Sequence, residues 1–215
     1  MRFTKSYLLA AASALLFSAG TANAAIETIT FDDIPNAASE PPIANGYAGL
    51  NWNNFYVLNA STYGGGQPNG YTNGIVTAPN VAYNAYGNPA SIAALPNSSF
   101  TLYGGFFNAA WNNGLSITAQ GYDPLGNVIA ADSKTFSVDT TGPIDVSFNW
   151  SGLGEVLFTS SGGVPAGYFG SGEHFALDNV TVNVSAVPLP AALPLFGAAM
   201  AGLGGLGFAR RRKAA

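Results

Sequence analysis

The chain has 215 residues, of which 48% are hydrophobic and only 8% charged, with 27 Gly, 13 Pro and no Cys. Lack of cysteine excludes a disulfide scaffold, a thiolate metal site and a cysteine nucleophile. So little charge excludes a coiled coil, and 14 Phe, 10 Tyr and 3 Trp are too much apolar surface for a disordered chain. All eleven acids lie between Glu27 and Asp178, where Lys134 is the single basic residue, so that stretch carries about −10 (+1 against −11). It has nothing with which to neutralise phosphates, so nucleic acid is excluded as a partner.

Met1–Ala24 has the pattern of a secretory signal peptide. Arg2 and Lys5 supply the charged start, Tyr7–Phe17 the apolar run, and Ala22-Asn23-Ala24 the small residues of a cleavage site. The apolar run is shorter than the ~20 residues a spanning helix needs. Export of the chain beyond Ala24 is expected.

Residues 25–186 show no helical periodicity of useful length. Short apolar–polar alternations recur between clusters of Gly, Asn, Pro and Asp, which predicts an all-β, antiparallel sandwich. In chain order, Ile29 and Phe31 alternate with Thr28 and Thr30, and Asp32-Asp33 closes that strand. Trp52 shares a face with Leu50 and is expected in the core. Tyr63, Tyr71, Tyr83 and Tyr86 fall in a Gly-, Asn- and Pro-rich stretch, where loops present side chains. Their rings could stack on pyranose C–H faces, or could pin loops onto the sandwich. Trp111, before Asn112-Asn113-Gly114, fits either a core or a site position.

Leu115, Ile117 and Ala119 alternate with Ser116, Thr118 and Gln120, and Ile144, Val146, Phe148 and Trp150 with Asp145, Ser147 and Asn149. Val156, Leu157 and Phe158 run continuously, as in a strand covered on both faces. In the last strand Phe175 and Leu177 are out of phase with Val180, Val182 and Val184, so Asp178-Asn179 is predicted to be a bulge or bend. If the first and last strands pair, Asp32, Asp33 and Asp178 meet at one rim and offer the oxygen ligands that calcium prefers. The same residues are equally good turn formers without an ion.

His174 is the sole histidine and has Glu173 beside it, but no Gly-x-Ser-x-Gly elbow accompanies them. Glu40, Glu155 and Glu173 are scattered, and no spacing selects the carboxylate pair of a glycosidase. No catalysis is expected.

At the far end Val187-Pro188-Leu189-Pro190 precedes an apolar segment, Ala191–Ala209, and then Arg210, Arg211, Arg212 and Lys213. As a helix the segment is about long enough to cross a bilayer, and the basic cluster would hold its end in the cytoplasm with the body outside. Residues 187–215 closely resemble the PEP-CTERM sorting tail of Gram-negative bacteria in its VPLPA variant, in which a proline motif leads into a hydrophobic helix and then an arginine cluster. The resemblance implies processing by an exosortase, a membrane protease-transpeptidase, near the proline motif. It also implies a life at the cell surface or in the extracellular polysaccharide matrix, with exopolysaccharide as a partner. A permanent single-pass anchor would show the same topology signals.

The body, through Phe31-Asp32-Asp33, Gly46–Phe55, Gly70–Gly74, Ala109–Gly114, Gly121-Tyr122 and His174–Asn179, resembles a family of secreted β-sandwich domains that often carry this tail. That resemblance implies an architecture like the jelly roll of carbohydrate-binding modules, and with it the structural calcium that recurs in such jelly rolls.

Overall fold

The structure is a computed structural model that describes residues 25–185. The expectations placed on Met1–Ala24 and on residues 186–215 lie outside those residues. Among the described residues no helix is long and apolar enough to cross a membrane.

Among the described residues thirteen strands occur in chain order: β1 (Ile26–Ile29), β2 (Leu50–Asn53), β3 (Phe55–Asn59), β4 (Asn80–Asn84), β5 (Ala90–Ala94), β6 (Phe100–Ala109) and β7 (Asn112–Asn113). Then come β8 (Leu115–Tyr122), β9 (Val128–Val138), β10 (Ile144–Leu153), β11 (Glu155–Ser161), β12 (Val164–Pro165) and β13 (Phe175–Val184). One sheet runs β10-β6-β13-β4-β3, with β1 also on β13; a second runs β2-β5-β11-β8-β9; β7 and β12 form a small ribbon. Every pairing is antiparallel. Because β6 holds one edge of β13 along its length, β4 and β1 share the other edge in succession, at Ala176–Leu177 and at Val180–Asn183.

The period-2 alternation works as expected in β8, where Leu115, Ile117 and Ala119 are buried and their neighbours half-exposed. In β10 it holds for Val146, Phe148 and Trp150, but Ile144 is exposed, at the outer end of an edge strand. Leu157 is a correction. Val156 and Phe158 face the core, but Leu157 is half-buried on the outer face, so β11 is covered on one side only. Phe31 also departs from expectation. β1 ends at Ile29, and Phe31 reaches the core through a left-handed turn at φ 63° rather than along the strand.

The phase break of the last strand is a bulge. Three β13 steps, Asp178 to Thr181, oppose two on β6, Phe106 to Gly104, and Asn179 takes the left-handed conformation at φ 48°. The bulge returns Val180 and Val182 to the buried face that Phe175 and Leu177 occupy.

Between the sheets lies the main core. Phe55, Phe107 and Phe175 from the first sheet meet Leu50, Trp52, Ile92 and Phe158 from the second, and Trp150 closes one flank. A second apolar cluster lies on the outer face of the first sheet, where Leu58, Val81, Tyr83 and Ala176 are covered by Tyr71, Ala110 and Trp111. At about 25 cal/mol per Å² of apolar surface removed from water, both contribute, but only the first is sandwiched.

Candidate functional site

The second cluster is held in place by asparagines. Asn69 caps the single-turn helix α1 (Gly70–Asn73): its Oδ1 accepts the Thr72 amide at 2.9 Å, and its Nδ2 donates to the Gln67 carbonyl at 2.8 Å. The Gly70 amide donates to the Ala110 carbonyl at 3.0 Å, and Asn108 Nδ2 donates to the Gly70 carbonyl at 2.6 Å. α1 lies so close to the end of β6 that a β-carbon on Gly70 would drive into the Ala109 carbonyl oxygen. These bonds fix Tyr71 over the sheet. Across from it, Asn84 accepts the Phe175 amide at 2.7 Å and donates to the Glu173 carbonyl at 3.3 Å, which positions His174 between them.

The result is an aromatic cleft of about 250 Å³. Tyr71, Tyr83 and Trp111 form its floor, Tyr56, Tyr63 and Tyr86 its upper walls, and Glu40, Ala85 and His174 complete it. Tyr71 contacts Tyr63, Tyr83 and Trp111 edge-to-face, with centroids 5.1, 5.4 and 5.3 Å apart. Tyr83 lies parallel to the His174 imidazole at 6.2 Å. The Tyr71 hydroxyl and His174 Nδ1 are 2.8 Å apart, bonded in the direction the imidazole tautomer sets. The Tyr83 hydroxyl donates to Glu40 Oε2 at 3.1 Å.

Burial, reinforced by neighbouring tyrosines and the Glu40 charge, pushes the Tyr71 phenol well above its ordinary range. Burial and then Glu40 push up Tyr83 and Tyr63 in the same way. Burial holds the His174 imidazole below its ordinary value of 6.5, in its neutral form at neutral pH. The cleft therefore presents the neutral phenols of Tyr63, Tyr71 and Tyr83 and the neutral His174 imidazole beside Glu40.

All four tyrosines expected at a glycan site line this cleft, though loops present only some of them. Tyr86, in a 3-10 turn at φ 59°, is 76% exposed, and Tyr63, in another such turn, is half-buried. Tyr83 stands on strand β4, and Tyr71, on α1, is 1% exposed. The tyrosines that pin the loops are thus also the ones that line the cleft. Trp52 and Trp150 are core, as expected, and Trp111, which fits either place by sequence, joins the cleft floor.

Tyr56 joins the cleft without having been expected there, although its signal is local. It alternates with Phe55 and Val57, which face inward, and so has to point out from β3. Glu40 and His174 give no local signal, because each reaches the cleft from a distant part of the chain.

β1 pairs with β13 as expected, with Ile29 opposite Val180. Asp178 lies near enough to Asp32 for its charge to add to the burial that raises the Asp178 carboxyl. Their oxygens, however, face backbone amides. Asp178 Oδ2 accepts from Val76 and Thr77 at 2.8 and 3.0 Å, its Oδ1 from Asn179 at 2.7 Å, and Asp32 Oδ1 from Asn80 at 2.9 Å. Asp33 turns away to accept the Tyr47 hydroxyl at 2.6 Å. Among the described residues no three acidic or imidazole groups gather as a metal cluster.

The three glutamates considered as a hydrolytic pair do not converge. Glu40 lines the cleft, Glu173 accepts the Gly162 amide at 2.7 Å, and Glu155 sits on β11 opposite Tyr122. A wider groove of about 370 Å³ runs along β1 between Glu27, Thr28, Asp33 and Tyr47. It gathers no set of aromatic faces, so the aromatic cleft is the better candidate.

No family model matches the sequence, and no curated protein matches it. Several solved structures are similar in shape. A DUF4465 family protein from Bacteroides caccae shows a TM-score of 0.49 at 15% identity, over 73% of this chain and 98% of that one. The carbohydrate-binding module TmCBM61, solved with β-1,4-galactotriose, gives 0.37 at 10% identity, over 72% of this chain and 97% of that one. An arabinose-bound α-L-arabinofuranosidase, MgGH51, gives 0.40 at 12% identity, over 78% of this chain but 27% of the enzyme. At these scores none of the three carries weight, and the functional reading rests on the residues of the cleft.

Proposed function

We propose that this protein is an exported, surface-sorted β-sandwich that binds saccharides of the extracellular matrix through the aromatic cleft and performs no catalysis. The observation that carries the binding reading is the convergence of Tyr56, Tyr63, Tyr71, Tyr83, Tyr86 and Trp111 around one cleft beside Glu40. Flat rings offer apolar faces to sugar C–H groups, while the phenol and carboxylate oxygens accept hydroxyl hydrogens, the mix of apolar lining and few polar groups that small-ligand sites use. A non-catalytic role is supported by the lining, where Glu40 is the one carboxylate, whereas glycoside hydrolysis ordinarily engages two. Export and sorting are supported by the sequence, through the signal-like Met1–Ala24 and the tripartite tail from Val187 to Lys213.

Affinity electrophoresis of the purified protein through gels containing xylan, galactan, cellulose derivatives or chitosan tests the binding reading. Retardation by at least one polymer, lost in Tyr86→Ala, is expected; free migration through all of them would overturn it. Mass spectrometry of the protein from its host tests the sorting reading. A mature start at Ala25 and a new terminus near Pro190 are expected, and an intact polypeptide in the cytosol would refute export.

A further inference from the structure

The ligand class can be narrowed from the charge of the same cleft, and this step rests on the saccharide reading above. We propose that the cleft selects a cationic amino sugar, one whose ring carries a free ammonium group, over neutral and acidic saccharides.

The lining combines several aromatic faces with a single full charge, the Glu40 carboxylate. Glu40 Oε2 is engaged by the Tyr83 hydroxyl at 3.1 Å, and Oε1 accepts no hydrogen bond from the described residues. An ammonium group entering here meets two favourable terms. The negative face of an aromatic ring attracts a cation, more strongly as water is excluded. A charge-assisted hydrogen bond to a carboxylate is roughly twice as strong as a neutral one. A neutral sugar lacks the first term and brings Glu40 only an uncharged hydroxyl donor, and an acidic sugar faces Glu40 without compensation.

Nothing nearby reverses that sign. His174 is the one basic group in the lining, and its Nδ1 is bonded to Tyr71. Glu173, next to it, accepts the Gly162 amide. Lys134, the one lysine or arginine between Glu27 and Asp178, stands on edge strand β9, donates to the Ser147 carbonyl at 2.8 Å and lies over the Phe148 ring. The surrounding body, at about −10 (+1 against −11), extends the same preference beyond the cleft.

The test is calorimetric titration of the purified protein with four tetrasaccharides: glucosamine, N-acetylglucosamine, glucose (β-1,4-linked) and galacturonate. With the amine protonated, glucosamine tetramer is expected to bind at least about tenfold more tightly than its acetylated counterpart, a gap of about 1.4 kcal/mol. The gap should shrink with added salt and close as pH rises through the amine's own pKa. Glu40→Gln, with its unfolding midpoint measured alongside, should remove most of the gap, weakening the glucosamine tetramer by a larger factor than it weakens the neutral tetramers.

Equal or weaker binding of the glucosamine tetramer would overturn the proposal, as would a preference that survives Glu40→Gln. In either case binding of a neutral tetramer would leave the saccharide reading standing. If choline binds as tightly as the glucosamine tetramer, the cleft recognises an ammonium without its sugar, and the proposal fails. Failure of all four tetramers would overturn the proposal, and the saccharide reading would then be decided by the gel retardation test above.

Discussion

The two apolar clusters of this protein use different aromatic residues. Between the sheets the buried rings are Phe31, Phe55, Phe100, Phe107, Phe148, Phe158 and Phe175 with Trp52 and Trp150, and no buried tyrosine is among them. Over the outer face of the first sheet the buried rings are Tyr71, Tyr83 and Trp111, with Tyr56, Tyr63 and Tyr168 packed against them; no phenylalanine is buried there, although the exposed Phe169 lies edge-on to Trp111 at 5.1 Å. A phenol buried between two sheets would need a partner in a place that has few polar atoms, and leaving it unpaired costs free energy. On the outer face Glu40 and His174 supply those partners. On the proposed reading, the inner cluster serves stability and the outer one offers a ligand a polar surface.

Exchanging residues between the clusters tests that division. The largest effect is expected from Phe158→Ala, which empties a site 1% exposed that touches Phe55, Phe107 and Phe175; it should cost about 3–5 kcal/mol in urea unfolding. Phe107→Tyr, which brings a hydroxyl into the inner cluster, should cost about 1–3 kcal/mol, the penalty of an unpaired polar group. The converse change, Tyr71→Phe, removes one hydrogen bond to His174 and should cost about 1 kcal/mol. If Tyr71→Phe proves as costly as Phe158→Ala, the outer cluster is a second structural core and the division fails.

The pH dependence gives a smaller signal with a defined sign. Burial lowers the His174 pKa from its ordinary 6.5, so the unfolded chain binds the proton more readily than the folded one. The stability this group contributes is fully present above pH 6.5 and is lost as pH falls from there through the folded value. Thermal unfolding across that window should show a decline that His174→Gln flattens. The smallest effect on stability is expected from Tyr86→Ala. At 76% exposure its loss should change stability by less than about 0.5 kcal/mol while saccharide retardation disappears. A Tyr86→Ala protein that unfolds much more easily but still binds would mark this residue as structural.

Legibility from sequence differs between these regions for a physical reason. The inner cluster is readable because a strand's side chains alternate with period 2, so Leu115, Ile117 and Ala119, or Val146, Phe148 and Trp150, declare their face locally. The bulge at Asp178-Asn179 is readable from the same periodicity, because a strand can change phase only by adding a residue. Ile144 and Leu157 depart from their pattern because edge position and sheet coverage depend on neighbours that no local pattern encodes. The rim aspartates do fall beside neighbouring strands as the pairing of β1 with β13 requires. Which donors their oxygens find, however, is decided by the folds of the Val76–Asn80 and Tyr47 loops.

By itself the sequence determined that the body is an antiparallel β-sandwich with a negative charge and little helix, since alternation, turn residues and the placement of charge are local and additive properties. What only the tertiary structure decided is that Glu40, four tyrosines spread from Tyr63 to Tyr86, Trp111 and His174 share one cleft. Their meeting depends on how α1 docks against the end of β6 and how Asn84 ties β4 to the start of β13, contacts between segments far apart along the chain. Composition sets tyrosines among turn-forming residues; only packing decides which of them face the same cleft.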